Sequence, residues 1–184
     1  MKKRNVLIIG AGGIGSFLIP LLDKTGLYDI TVCDPDIVEE KNLTYQNFTK
    51  IDLEKKKVDA MAERYDINAQ PYPVLTAKQL KGYDLVVCCA DNLDIRRTMY
   101  NSNVKWLDLR AQARNAAMIS HLEDPKLYNV FTSGPDGSFS CQGEWDGKPE
   151  GINFMQVVIA GYGVQWMQRW FNGDFVLKHF KING

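Results

Sequence analysis

The sequence predicts an α/β fold of Rossmann-like type: a mostly parallel sheet with helices on both faces and an antiparallel extension near the carboxy terminus. Three observations predict it. Short apolar, β-branched runs alternate with helical patterns over the first two-thirds of the chain, as parallel strands joined by crossover helices do. A glycine-rich turn, Gly10-Ala11-Gly12-Gly13-Ile14-Gly15, separates the first such run from an apolar helix. After Ala116 the pattern loosens into alternating segments of hairpin type.

In order, residues 5–10 (NVLIIG) read as a buried strand and residues 14–22 as the helix after the turn. Residues 29–34 (DITVCD) form the second strand. Over residues 54–65, Val58, Met61, Ala62 and Tyr65 recur at helical spacing with charge opposite. Pro71 and Pro73 mark a loop, with Val74-Leu75 as a short strand. Residues 83–90 (YDLVVCCA) are a strong strand, 92–100 a short helix and 104–109 another strand. AMISHLE and LYNVFTS, separated by DPK, read as a hairpin, and residues 133–151 as a polar loop. Residues 152–171 form a helix that is apolar almost all round, so Trp166, Trp170 and Phe171 are expected in the core. Gly161 and Gly163 within it point to close packing against a neighbour.

The 184 residues suffice for one domain over 1–184 with its own core. Lys+Arg and Asp+Glu are equal at 22 each, which argues against a nucleic-acid binder. No apolar run reaches the length of a membrane span. The opening MKKR leads straight into a strand and makes a poor signal peptide; a cytoplasmic, reducing compartment is expected because the cysteines read as buried free thiols. Four cysteines, Cys33, Cys88, Cys89 and Cys141, form no CxxC pair and specify no zinc site. The first three lie in apolar strands and read as buried; Cys141 alone sits in a polar loop. His121 and His179 are read as structural.

The glycine turn has a physical purpose. Gly10 makes the turn, Gly12 and Gly13 let backbone approach phosphate, and Gly15 lets helix and strand pack. Phosphate oxygens then meet the free N–H groups of a helix N-terminus. Asp34 ends the second strand, at roughly the 20-residue remove usual for an acid on ribose hydroxyls. NAD and ATP fit equally, while the 2′-phosphate of NADP would be repelled.

The stretch KNLTYQNF, residues 41–48, separates the two. Together DPDIVEEKNLTYQNF, Lys57 at the head of the next helix, and Asp91-Asn92 at a strand end with Arg96 beyond resemble the ThiF/MoeB/HesA superfamily. These are adenylating enzymes related to ubiquitin activation. The step from Asp34 to Asn42 matches, as do Leu43 and Gln46, and the resemblance runs from about Asn5 to Arg110. It implies ATP with Mg²⁺, and a substrate that is the carboxy terminus of a small ubiquitin-like or sulfur-carrier-like protein. Asp91 would hold Mg²⁺ and Lys57 meet the phosphates. Asp34 and Asp36 would face the ribose, and Asn42, Gln46 and Asn92 would help place the nucleotide. Relatives commonly form homodimers through the late part of the fold. Some use a late cysteine to take the acyl group as a thioester, a role open to Cys141 beside that of a buried anchor.

There are departures. The family has arginine where this chain has Tyr45, only Lys2, Lys3 and Arg4 precede the first strand, and the zinc cysteines are missing. Arg110 is the first candidate to supply the missing charge, with Arg96 and Arg114 behind it. From the residues alone, Lys57 also reads as a solvated charge in a KKK run, and Asp91 as a helix cap. Two rival functions stay open: a non-catalytic or partner-dependent scaffold relative, and an NAD-dependent oxidoreductase.

Overall fold

The computed structural model describes residues 2–133, 141–143 and 145–184. One seven-stranded sheet runs in the order β3-β2-β1-β4-β5-β6-β7. β1 (Arg4–Ile9), β2 (Tyr28–Cys33), β3 (Ile67–Gln70), β4 (Leu85–Cys88) and β5 (Trp106–Gln112) are parallel. β6 (Asn115–Ser120) pairs antiparallel with β5, and β7 (His179–Ile182) antiparallel with β6. The helices are α1 (Gly15–Asp23), α2 (Asn42–Tyr45), α3 (Lys57–Ala62), α4 (Leu93–Tyr100), α5 (Tyr128–Thr132) and α6 (Met155–Asn172).

Both faces of the sheet are covered, because alternate residues of its central strands are all apolar. Val6 and Ile8 of β1 enter a core with Leu18 and Leu22 of α1, Val58 and Met61 of α3, and Ile159 and Met167 of α6. Leu7 and Ile9 of β1 enter a second core with Leu80, Met99, Tyr100 and Trp106. The expected Rossmann-like sheet with an antiparallel extension is therefore present.

Several elements differ from expectation. The hairpin is β5–β6, turning at Ala113, whose φ is +50°. LYNVFTS is not its second arm: Asp124 accepts from the Lys126 amide, Pro125 follows it, and the chain enters a 3₁₀ turn and then α5. A cap followed by proline starts a helix more strongly than loose alternation starts a strand. Val74-Leu75 forms no strand; Val74 is a core plug, and the edge strand is the half-buried Ile67–Gln70, held by pairing with β2. β7 alternates polar and apolar residues as HFKI, but four residues are too short a run to mark a strand, and pairing with β6 is what holds it. Gly163 packs against β5 as expected, but Gly161 is exposed with open space around it. Cys33 and Cys88 are buried, whereas Cys89 lies just past β4 and is half-buried. Trp166 is in the core, with Trp170 and Phe171 packed at its edge. Residues 134–140 and 144 of the expected polar loop lie outside the described residues. Among the described residues, no helix is long and apolar enough to cross a membrane.

Candidate functional site

A cleft of about 1000 Å³ opens where the parallel strands end in their carboxyl direction. Ligands gather there in such sheets because the connections diverge above the strand ends. From the β1 end it is lined by Gly10, Gly12 and Gly13. From the β2 side come Asp34, Asp36, Asn42, Gln46 and Lys57, and from β4 and β5 come Asp91, Asn92, Arg96 and Arg110. Cys141 closes part of it. Gly15 does not line the cleft, and its constraint is packing: a Cβ there would stand 1.9 Å from the Gly10 carbonyl oxygen. Arg114 is not among the lining residues.

Gly10 adopts φ +97°, which glycine alone accepts without strain, and its Cα faces the Ala90 backbone too closely for any side chain. The carboxylate of Asp34 is buried under the turn. Its Oδ2 accepts from the Ala11 amide at 2.7 Å and its Oδ1 from the Asp36 amide at 2.8 Å. Burial raises its pKa, while the nearby Lys57 charge and these two amides pull the other way. Asp34 thus holds the glycine turn as well as facing the cleft.

Lys57 opens α3 and is only 6% exposed, so the solvated-charge reading is wrong. Its Nζ lies 2.9 Å from Asp36 Oδ2. Asp91 follows β4 and is exposed to the cleft. The cap of α4 is Asn92 instead, whose Oδ1 accepts from the amides of Asp94 (2.8 Å) and Ile95 (3.2 Å). Capping therefore makes no demand on the Asp91 carboxylate.

The stretch past Asp36 folds back onto the glycine turn. Asn42 is buried and its Oδ1 accepts from the Glu39 amide. Asn47 donates from its backbone to Ser16 Oγ and from its amide to the Ser16 carbonyl, tying the stretch to α1. Phe48 anchors it in the core. Tyr45, in the family's arginine position, meets Trp145 edge-on at 5.8 Å. Among the described residues two buried side-chain oxygens lack a partner, Gln46 Oε1 and Gln156 Oε1. Both residues flank the turn: Gln46 next to Gly12, and Gln156 next to Gly13 with its Nε2 donating to the Tyr45 carbonyl. An amide oxygen only accepts, so a donor such as water or a hydroxyl, and not a phosphate oxygen, would satisfy these two atoms.

Cys141 lies against Gly13, where a Cβ would stand 2.4 Å from its Sγ. Its carbonyl accepts from Ala113, and Gln142 exchanges two hydrogen bonds with Asn153. Burial pushes the thiol up to about 11, so it is protonated at neutral pH.

Sequence reasoning missed Asp108, Tyr100 and Gln156. Asp108 is fully buried. Its Oδ1 pairs with Arg96 Nε (3.1 Å), and its Oδ2 with Arg110 Nη2 (2.7 Å) and the Tyr100 hydroxyl (2.5 Å). Burial would raise the pKa of Asp108, but the two guanidinium groups outweigh that and hold it below the ordinary value. The available signal was an aspartate inside the apolar strand WLDLR. No local cue marks Gln156.

With this geometry in view, comparisons with known proteins are informative. The ThiF family model matches residues 1–109. The chain is 31% identical over 106 residues to the adenylyltransferase and sulfurtransferase UBA4 of Yarrowia lipolytica, covering 52% of this chain and 27% of that protein. It is 32% identical over 107 residues to the sulfur carrier protein adenylyltransferase of Thermus thermophilus, covering 52% and 40%. The chain thus matches between about a quarter and two-fifths of the length of these curated relatives. In fold it is similar to the crystal structure of E. coli MccB with MccA, at a TM-score of 0.71 and 17% identity, covering 100% of this chain and 61% of that one. The matched segment carries the glycine turn, Asp34, Lys57 and Asp91 together, and the chain belongs to the ThiF family.

Proposed function

We propose that this protein is an adenylating domain acting on the carboxy terminus of a small ubiquitin-like or sulfur-carrier-like protein, with ATP as co-substrate. The observation that carries the reading is one cleft gathering the glycine turn, Asp34, a buried Lys57 and Asp91. A dehydrogenase needs the first two and has no use for the others. The names of the two curated relatives support an adenylyltransferase class.

In this reading the ribose lies at Asp34 and the phosphates at Gly12, Gly13 and Lys57. A carboxylate oxygen of the substrate bonds to the α-phosphorus, and the bond from that phosphorus to the bridging oxygen of pyrophosphate breaks. The electron pair leaves with pyrophosphate, and an acyl adenylate remains. Preorganised N–H groups and Lys57 offset the charge, with no reorganisation at the moment of reaction. Mg²⁺ fits the residues present. Among the described residues no cluster of three His, Cys, Asp or Glu could hold a metal alone. Mg²⁺ commonly takes one or two carboxylates and completes its shell with phosphate oxygens and water, and Asp91 is placed to be that carboxylate. Bound there, it would neutralise phosphate charge. Residues 1–184 are read as one domain around one sheet. Self-association through the α6 region is part of the reading, supported by the exposed Phe175 and Leu177.

A second reading, a partner-dependent or non-catalytic relative, is favoured by one observation: Tyr45 packs on Trp145 where the family has arginine. Calorimetry with MgATP and with NAD tests the main reading. MgATP is expected to bind more tightly, and tighter NAD binding overturns it. ATP–pyrophosphate exchange with a ubiquitin-like carrier then separates the enzyme from the scaffold, which shows none.

A further inference from the structure

We propose that Asp36 is a latch on Lys57: it holds the ammonium in place before phosphate arrives, then competes with phosphate for it, so that pyrophosphate is released. This rests on the adenylation reading, which brings phosphates to Lys57. The pairing is set by backbone. Past β2 the chain runs antiparallel to the segment that enters α3. The Lys57 amide donates to the Asp36 carbonyl at 3.0 Å, the Val38 amide to the Lys55 carbonyl at 2.8 Å, and the Glu54 amide to the Val38 carbonyl at 3.0 Å. Ile37 and Lys56 form a bridge between the two segments. Asp36 is therefore fixed opposite Lys57, and its Oδ2 lies 2.9 Å from Lys57 Nζ. Asp34, by contrast, gives both its oxygens to backbone amides. Lys41, also at the cleft, is paired with Glu39.

The two partners differ in what they can do. The Lys57 side chain is 8% exposed and the Asp36 side chain 64%. The ammonium is thus the fixed member, and the carboxylate is the one that can turn out into water. A buried ammonium left unpaired is costly, so Lys57 needs an anion at every stage. Asp36 supplies it first, and phosphate takes over once the nucleotide binds. Both residues line the cleft with Gly12 and Gly13, so a phosphate at the turn can reach the ammonium as Asp36 turns away. A plain structural prop would be buried with its partners, as Asp108 is between Arg96 and Arg110. The competition weakens every phosphate ligand of Lys57, with unequal consequences. ATP keeps its ribose contact at Asp34 while Lys57 is contested, and pyrophosphate has none. The latch therefore favours departure of pyrophosphate, which otherwise returns the acyl adenylate to ATP by mass action. Asp36 is in this sense a positioning residue that acts through Lys57, and the ribose is left to Asp34.

The test is calorimetric titration of the intact protein with inorganic pyrophosphate and Mg²⁺, and separately with MgATP. Asp36→Asn keeps the backbone ladder and the size of the side chain while removing the charge. It is expected to bind pyrophosphate about fivefold more tightly than wild type, the scale of one partly exposed ion pair. MgATP should bind more tightly as well. Asp36→Glu, which restores a carboxylate, should stay within about twofold of wild type. In a Lys57→Met background no ammonium remains to be contested, and there Asp36→Asn should change MgATP affinity by less than about twofold. A prop gives the opposite sign, with Asp36→Asn binding pyrophosphate more weakly. That result overturns the latch, as does an unchanged affinity. A gain that persists without Lys57 also overturns it, since Asp36 would then act by repelling phosphate directly. The adenylation reading fails separately: if Asp36→Asn gains pyrophosphate affinity but the protein binds NAD more tightly than MgATP, the latch stands and adenylation is lost. A protein that binds neither pyrophosphate nor MgATP overturns both.

Discussion

Three carboxylates show how neighbours set a residue's task. Asp34 is buried and bound to two backbone amides, so part of its work is to hold the turn. Asp108 is buried between two arginines and a tyrosine and never meets the cleft as a free charge. Asp91 is exposed to the cleft, and the next residue takes the capping duty. Asp91→Asn should therefore leave the fold intact, because Asn92 still caps α4, while removing the charge proposed to attract Mg²⁺. Calorimetry with and without Mg²⁺ checks this. Wild-type affinity is expected to rise with the metal and the mutant's to be insensitive to it; an unchanged metal response would give Asp91 a purely structural place. Cys141 illustrates the same rule for a thiol. Held against Gly13 with its pKa pushed up to about 11, it lacks the thiolate that acyl transfer needs in this state.

At the scale of elements, the site depends on how β1, the turn and α1 close on each other. The closest approach is at Gly15, where an added Cβ would lie 1.9 Å from the Gly10 oxygen. That neighbour is backbone and cannot swing aside. Gly15→Ala should destabilise the protein by more than about 2 kcal/mol, the scale of overpacking at a site that cannot relax. Denaturant unfolding measures it, and MgATP affinity should fall as well, since the amides of the turn would shift. Near-wild-type stability would mean that the turn and helix are less tightly joined than described. The short α2 depends on its surroundings in another way. Its four residues are too few to persist alone, and Asn42, Asn47 and Phe48 fasten it to α1 and the core.

The whole molecule is joined across the sheet by α6, which lies outside the family-matched segment. Gly163 meets Leu109 of β5 and Leu18 of α1, so three elements converge on one missing side chain. A Cβ there would stand 2.6 Å from Leu109 Cδ1, in a fully buried setting. Gly161, two residues earlier, faces open space. The same substitution should therefore have opposite signs: Gly163→Ala destabilises by about 1–3 kcal/mol, and Gly161→Ala stabilises by roughly 0.5–1 kcal/mol through helix propensity. Paired denaturation curves decide it, and equal effects at the two positions would show that α6 is not docked this way. Through Gln156, α6 also reaches the glycine-turn end of the cleft, where it donates to the Tyr45 carbonyl.

The sequence by itself determined the Rossmann-like sheet, the glycine turn with Asp34, and the stretch from Asn42 to Phe48. Those features are local: a strand's apolar run, a turn that only glycine fits, and an acid at fixed spacing are written in neighbouring residues. Lys57 and Asp91 were legible as candidates, but not the burial of the one or the freedom of the other from capping. Only the tertiary structure decided those, and it decided the true hairpin, the edge strands β3 and β7, and the cluster around Asp108. Edge strands exist because a neighbour offers unpaired backbone, which segments as short as INAQ and HFKI do not record. Arg96, Tyr100, Asp108 and Arg110 meet because α4 lies across β5 and buries a carboxylate there. A buried charge takes its meaning from what surrounds it, and the fold alone supplies those surroundings.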